Sequence, residues 1–101
     1  MSITYQIVYW RDIPAQVRLR SGKERLSRPL SARFQEAIDM AAMRAETTNT
    51  DDYLEEWRTG EALTREGDPE QVAEAVVAEI EASYSRERLL KLAANRGLDK
   101  G

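Results

Sequence analysis

The chain has 101 residues, 42% of them hydrophobic and 33% charged, with a net charge of −3 and neither cysteine nor histidine. That length suits one core, and the apolar share is too high for a disordered chain. The missing residue types exclude disulfides, thiolate nucleophiles, thiolate-held zinc and iron–sulfur clusters on the chain's own ligands; they also remove the usual neutral-pH base and the commonest transition-metal ligand. One α+β domain covering 1–101 is expected. Its charge is polarised: residues 1–45 carry eight Arg/Lys against four Asp/Glu, and residues 46–101 carry seven against fourteen. Such asymmetry favours oriented partners or self-association over a nucleic-acid coat. The first residues lack the basic-then-apolar pattern of a secretory signal, and no apolar run approaches a membrane span, so a cytoplasmic location is expected.

Residues 3–10, Ile-Thr-Tyr-Gln-Ile-Val-Tyr-Trp, are β-branched and aromatic, as a strand prefers. Ile3, Tyr5, Ile7 and Tyr9 share one face; Thr4, Gln6, Val8 and Trp10 share the other, more polar one. Residues 11–14 read as a turn because Pro14 has no N–H for a ladder. Residues 15–20 then alternate, with Ala15, Val17 and Leu19 inward, completing a hairpin that ends at Ser21-Gly22. Residues 23–29 read as irregular and basic.

A helix follows from about Ser31 to Glu46, where Leu30, Phe34, Ile38, Ala41 and Ala45 recur at helical spacing beside Ala37. Residues 47–50 stop it and offer N-caps to a short helix over 51–58, with Leu54 and Trp57 buried and Tyr53 beside them. Residues 60–66 read as a short third strand between glycines. Asp68-Pro69-Glu70-Gln71 is the clearest local signal, an N-cap followed by Pro at the first helical position. The helix after it buries Val72, Val76, Ile80 and Tyr84. Ser85 either continues that helix or caps another, in which Leu89, Leu90, Leu92 and Ala93 supply the apolar face and Gly97 the stop. The assembled expectation is an α+β fold: a small antiparallel sheet, made of the N-terminal hairpin plus the short third strand, covered on one face by three or four helices.

Three groups of residues carry chemistry. Asp51 with Glu55 and Asp52 with Glu56 lie one helical turn apart, which reads as a solvated face, since calcium and magnesium need more oxygen ligands than this spacing supplies. Arg18, Arg20, Lys23, Arg25 and Arg28, with Arg33 beyond them, form a basic segment suited to oxyanions, an acidic protein surface or RNA. The aromatics give Trp10 two roles: a core side chain, or an exposed contact residue beside Arg11 and Asp12. Ser31, Ser83 and Ser85 have no histidine to activate them, and no phosphate-binding glycine pattern exists, so independent catalysis is not expected. No catalytic, cofactor-binding or metal-ligating residue is assigned.

Four stretches together resemble a bacterial family named "virulence factor": 5–17 with its Tyr-Trp-Arg-Asp-Ile-Pro run, Arg33-Phe34-Gln35-Glu36-Ala37-Ile38-Asp39, Thr50-Asp51-Asp52-Tyr53-Leu54-Glu55-Glu56-Trp57, and 72–80. The resemblance covers most of the chain, and the first and third stretches are its most specific parts. It implies short stand-alone proteins, and also a terminal domain of a larger conserved staphylococcal virulence factor with an iron–sulfur-scaffold-like region and helical repeats. It also implies an accessory or adaptor role, close to cofactor or iron–sulfur metabolism, without catalytic residues to carry over. The expected function is a non-catalytic protein-interaction domain, working with a protein partner or as a homo-oligomer and without a cofactor. Its contact residues are Trp10, Arg11, Asp12, Asp52, Tyr53, Trp57 and Arg58. The alternative is an RNA- or phosphate-ligand-binding module on the basic segment 18–33.

Overall fold

The aromatic first strand becomes the spine of the sheet. The computed structural model describes residues 2–46 and 50–99, and in it β1 (Ser2–Trp10) is hydrogen-bonded along both edges. On one side lies β2 (Ile13–Ser21), and beyond it β3 (Glu24–Pro29). On the other side two short strands share β1: β4 (Trp57–Thr59) pairs with residues 8–10 and β5 (Leu63–Glu66) with residues 2–5. All pairings are antiparallel. Gly60 holds the interval between β4 and β5 to β1, its N–H donating to the Ile7 carbonyl (2.8 Å) while its carbonyl accepts from the Gln6 amide (3.1 Å).

Three expectations change. The second strand starts at Ile13, with Pro14 inside it opposite Tyr9, because the register slips there and leaves Ala15 as an extra residue. A bulge tolerates proline where a regular ladder would not. The spare Ala15 carbonyl accepts the Leu30 N–H (3.0 Å) and so anchors the end of β3. Residues 24–29, read as irregular, form β3, whose pattern is masked because only Leu26, opposite Leu19, brings an apolar group inward. Trp57 and Arg58 leave the predicted helix and pair as strand with Trp10 and Tyr9. The third strand of the hairpin sheet is therefore β3, and the 60–66 segment contributes β5 as a further one.

The helices are α1 (Ala32–Arg44), α2 (Thr50–Glu55), α3 (Pro69–Ser83) and α4 (Arg86–Ala94). Asp68 caps α3, its side chain accepting from the Glu70 and Gln71 amides, and Ser85 caps α4 by accepting from the Arg88 amide. Ser31 precedes α1 but makes no side-chain cap. Instead, Glu81 of α3 accepts from the Ser31 amide (2.7 Å) and hydroxyl (2.8 Å) and pairs with Arg33 (3.0 Å), tying the start of α1 to the end of α3. The helix stop read at 47–49 lies outside the described residues.

Phe34, Ile38 and Ala41 of α1, Val72, Val76 and Ile80 of α3, and Leu89, Leu92 and Ala93 of α4 close over Ile3, Tyr5, Val17 and Leu19 in one core. Each large apolar side chain so buried stabilises the fold by roughly 1.5–3 kcal/mol before entropy is counted. α3 lies across β2 and β3, while α1 packs on α4 and on β2. Leu54 and Leu90, both expected inside, are 56% and 47% exposed. The six-residue α2 turns Tyr53 toward the core instead. Among the described residues no helix is long and apolar enough to cross a membrane.

Candidate functional site

The hairpin tip gathers segments that are remote in sequence. β1 and β2 are joined by Arg11 and Asp12 alone, and Arg11 adopts φ 53°, a left-handed conformation uncommon for a side chain with a Cβ. Its N–H donates to the Glu56 carbonyl (3.0 Å), and its guanidinium reaches the Arg96 carbonyl (2.9 Å) and the Glu56 carboxylate (3.2 Å). Asp12 donates its N–H to the Gly97 carbonyl (2.8 Å), accepts from the Asp99 amide (2.7 Å), and pairs with Arg58 (3.2 Å). Arg58 also donates to the Arg11 carbonyl (2.9 Å) and lies 4.4 Å from the centre of the Tyr9 ring.

Trp10 takes the core role of its two alternatives. It is fully buried, stacks on Tyr53 at 5.6 Å between centroids, and donates its indole N–H to the Tyr53 carbonyl (3.0 Å). Alternation correctly separates it from Tyr9, but at this end α2 and the turn after α4 cover the second side of the strand as well. Tyr53 meets Trp57 edge-on at 6.0 Å. Six of the seven candidate contact residues thus converge, and Asp52 stands apart, exposed on α2. Their polar groups are largely engaged with one another and with residues 96–99. Sequence reasoning missed those last partners, for which a glycine at the end of a helical pattern was the only signal.

Beside the tip a cleft of about 670 Å³ opens between Tyr9, Arg58, Tyr84 and Asp99. Burial pushes the Tyr84 phenol above its ordinary range.

The basic segment divides. Arg28 turns to the helix side, 3.9 Å from Glu70 of α3, and Lys23 is exposed in the turn beyond Gly22. Arg33 sits on α1 against Glu81. Arg18, Arg20 and Arg25 remain together on the opposite, uncovered face of the sheet, all exposed. Arg20 lies directly across from Arg25 on one side and Thr4 on the other; Arg18 lies between Gln6 and Ser27 in the same way. These six side chains surround a hollow of about 380 Å³. No carboxylate lines it, and among the described residues none of the three arginines has an ion-pair partner. Arg18 also borders a second hollow, of about 390 Å³, shared with Gln16, Trp57 and Thr59. The uncovered face therefore runs from Arg25 on β3 to Trp57 on β4.

Among the described residues no group of three or more acidic side chains is placed to hold a metal ion. A family model described as "Virulence factor" matches residues 8–93, a span that includes the hairpin tip, the three arginines and the core-facing parts of α1, α3 and α4. No curated protein and no solved structure matches the chain.

Proposed function

We propose an interaction role for this chain, which belongs to the virulence factor family: it is a non-catalytic domain that meets a protein partner across the uncovered face of its sheet. The observation that carries this reading is the contrast between two surfaces. At the hairpin tip, Arg11, Asp12 and Arg58 spend their hydrogen-bonding capacity inside the molecule. On the sheet face, Arg18, Arg20 and Arg25 stand exposed and without an ion-pair partner among the described residues, with Trp57 half-buried at the far end. Arginine and tryptophan are the side chains most often found at interaction hot spots, and an aromatic at the edge of a polar face is a natural anchor. The tip then acts as the fastener that holds Trp57 and β4 in place. An accessory role in cofactor or iron–sulfur metabolism fits a domain that binds a cluster protein, since without cysteine this chain has no thiolate of its own.

The test is capture from native cytosol by the immobilised domain, with mass spectrometry of what is retained. The wild-type chain is compared with a variant carrying Arg18→Ser, Arg20→Ser and Arg25→Ser. A stoichiometric partner held by the wild type and lost by the variant, with far-UV circular dichroism and urea unfolding unchanged, supports the sheet face. A partner held equally by both moves the contact surface elsewhere.

A further inference from the structure

We infer that the hollow between Arg18, Arg20 and Arg25 is an oxyanion site, and that its occupant is a phosphoryl group carried on a segment of the protein partner. This deepens the preceding proposal and rests on the sheet face being the docking surface.

The first observation is electrostatic. Like charges directly opposite one another in a sheet are unfavourable unless a countercharge is near. Here Arg20 and Arg25 are cross-strand partners, and Arg18 stands two residues along the same strand and face. No carboxylate lies in the hollow. Elsewhere on the molecule arginines facing α3 have such acids: Arg65 meets Glu79 (2.7 Å), and Arg28 lies near Glu70. Three arginines gathered without a lining carboxylate leave a local positive charge that an incoming anion would balance.

The second observation is the kind of anion the lining suits. Three guanidinium forks match planar or tetrahedral oxyanions through paired N–H donors. Thr4 and Ser27 add hydroxyls at the rim, and hydroxyls donate to phosphate oxygens without adding charge. A single carboxylate brings one negative charge to three positive ones. A phosphate monoester brings about 1.5–2 at neutral pH, together with three acceptor oxygens. Leu19 and Leu26, whose side chains face the core, complete the lining from beneath.

The third observation argues for a peptide over a polynucleotide. Beyond the three arginines the chain is acidic: residues 46–101 carry fourteen Asp/Glu against seven Arg/Lys. A long polyanion leaving the hollow would run into that field, whereas a short segment with one phosphoryl group need not. Three contacts would also release few counterions, giving a salt slope of only about −2.7 on the usual 0.9 per phosphate.

The experiment is a titration of the isotope-labelled full chain followed by amide resonances. The probes are inorganic phosphate, a short peptide containing phosphoserine, the same peptide with serine, and a short single-stranded RNA. Inorganic phosphate should move the amides of Thr4, Gln6, Arg18, Arg20, Arg25 and Ser27 and leave those of the hairpin tip in place. The phosphopeptide should bind at least about tenfold more tightly than its serine counterpart, the effect of one or two added charge-assisted hydrogen bonds. Arg20→Ser with Arg25→Ser should erase that difference while Trp10 emission stays unchanged.

Absence of those shifts, equal binding of the two peptides, or RNA binding tighter than the phosphopeptide would each overturn the inference. Phosphatase treatment of the cytosol separates it from the preceding proposal. A partner that needs the arginines but survives phosphatase sinks the phosphoryl site and keeps the docking face. A partner indifferent to the arginines sinks the docking face itself.

Discussion

Arg11 combines an unfavourable backbone conformation with two guanidinium hydrogen bonds, to the Arg96 carbonyl and the Glu56 carboxylate. Positive φ costs a side-chain-bearing residue about 1 kcal/mol, and that cost disappears with glycine. Its two guanidinium contacts, one of them a charge pair, are worth about 1–3 kcal/mol together. Arg11→Ala should therefore destabilise the chain by about 1–3 kcal/mol in urea unfolding, and Arg11→Gly by about 1 kcal/mol less. If the glycine variant is the less stable of the two, the strain assigned to φ 53° is wrong. Gly97 poses the converse case. It has φ 84°, and a Cβ there would sit 3.0 Å from the Trp10 ring, so Gly97→Ala should both destabilise the fold and shift Trp10 emission. Unchanged emission would mean that the turn after α4 moves freely off the ring. The sequence marked Gly97 as a helix stop, but not the indole beneath it, because that contact joins residues 87 positions apart.

At the level of elements, the legible parts were those whose signal is local. The Asp68-Pro69 start of α3 and the Phe34–Ile38–Ala41 stripe of α1 each read correctly because caps and periodicity are written within a few residues, and of the two alternatives for Ser85 the structure takes the cap of α4. β3 did not, because only Leu26 brings an apolar group inward, and β4 did not, because it has three residues and a remote partner in β1. The ties between elements are also remote. Glu81 serves as an external cap for α1, accepting from both the amide and the hydroxyl of Ser31. Glu81→Ala should cost about 1–3 kcal/mol, measured by thermal or urea unfolding, since it removes a charged acceptor from two donors and from Arg33 at once; a loss below about 0.5 kcal/mol would show that water replaces it.

The tie between β5 and α3 answers to pH. Hydrogen bonding to Arg65 holds the Glu79 carboxyl below its ordinary 4.5. A carboxylate depressed in the folded state contributes stability that is present above its unfolded pKa and is lost as pH falls through the folded one. Stability should therefore decline below about pH 4.5, and Glu79→Gln should flatten part of that decline. An identical acid limb in the variant would remove Glu79 from the account.

Across the whole molecule, the candidate surfaces were visible as residue types and invisible as a choice between them. Arg18, Arg20 and Arg25 are an obvious basic run, but the alternation of two strands decides that they face outward together while Arg28 turns to Glu70. Trp10, Arg11 and Asp12 stand out in the sequence as candidate contacts, and in the fold their polar groups are engaged within the tip. The polarity of charge has a measurable sign. Mild salt should weaken partner capture on the arginine face while leaving folding little changed, because exposed charges are screened and the core is apolar. Salt-independent capture would point to Trp57 and its apolar neighbours as the main contact.

The central place of β1 sets the order in which this chain can be built. As it is made, β1 gains one neighbour within about twenty residues, but its other edge waits for β4 and β5, and the cover over Trp10 waits for Gly97. Until then the nascent chain carries a strand rich in tyrosine, isoleucine and tryptophan with one open side. Non-local pairing of this kind slows folding and exposes edges that other chains can join. The turn at Gly97 thus closes over a strand made 87 residues before it, and until that turn docks the indole lacks part of its cover.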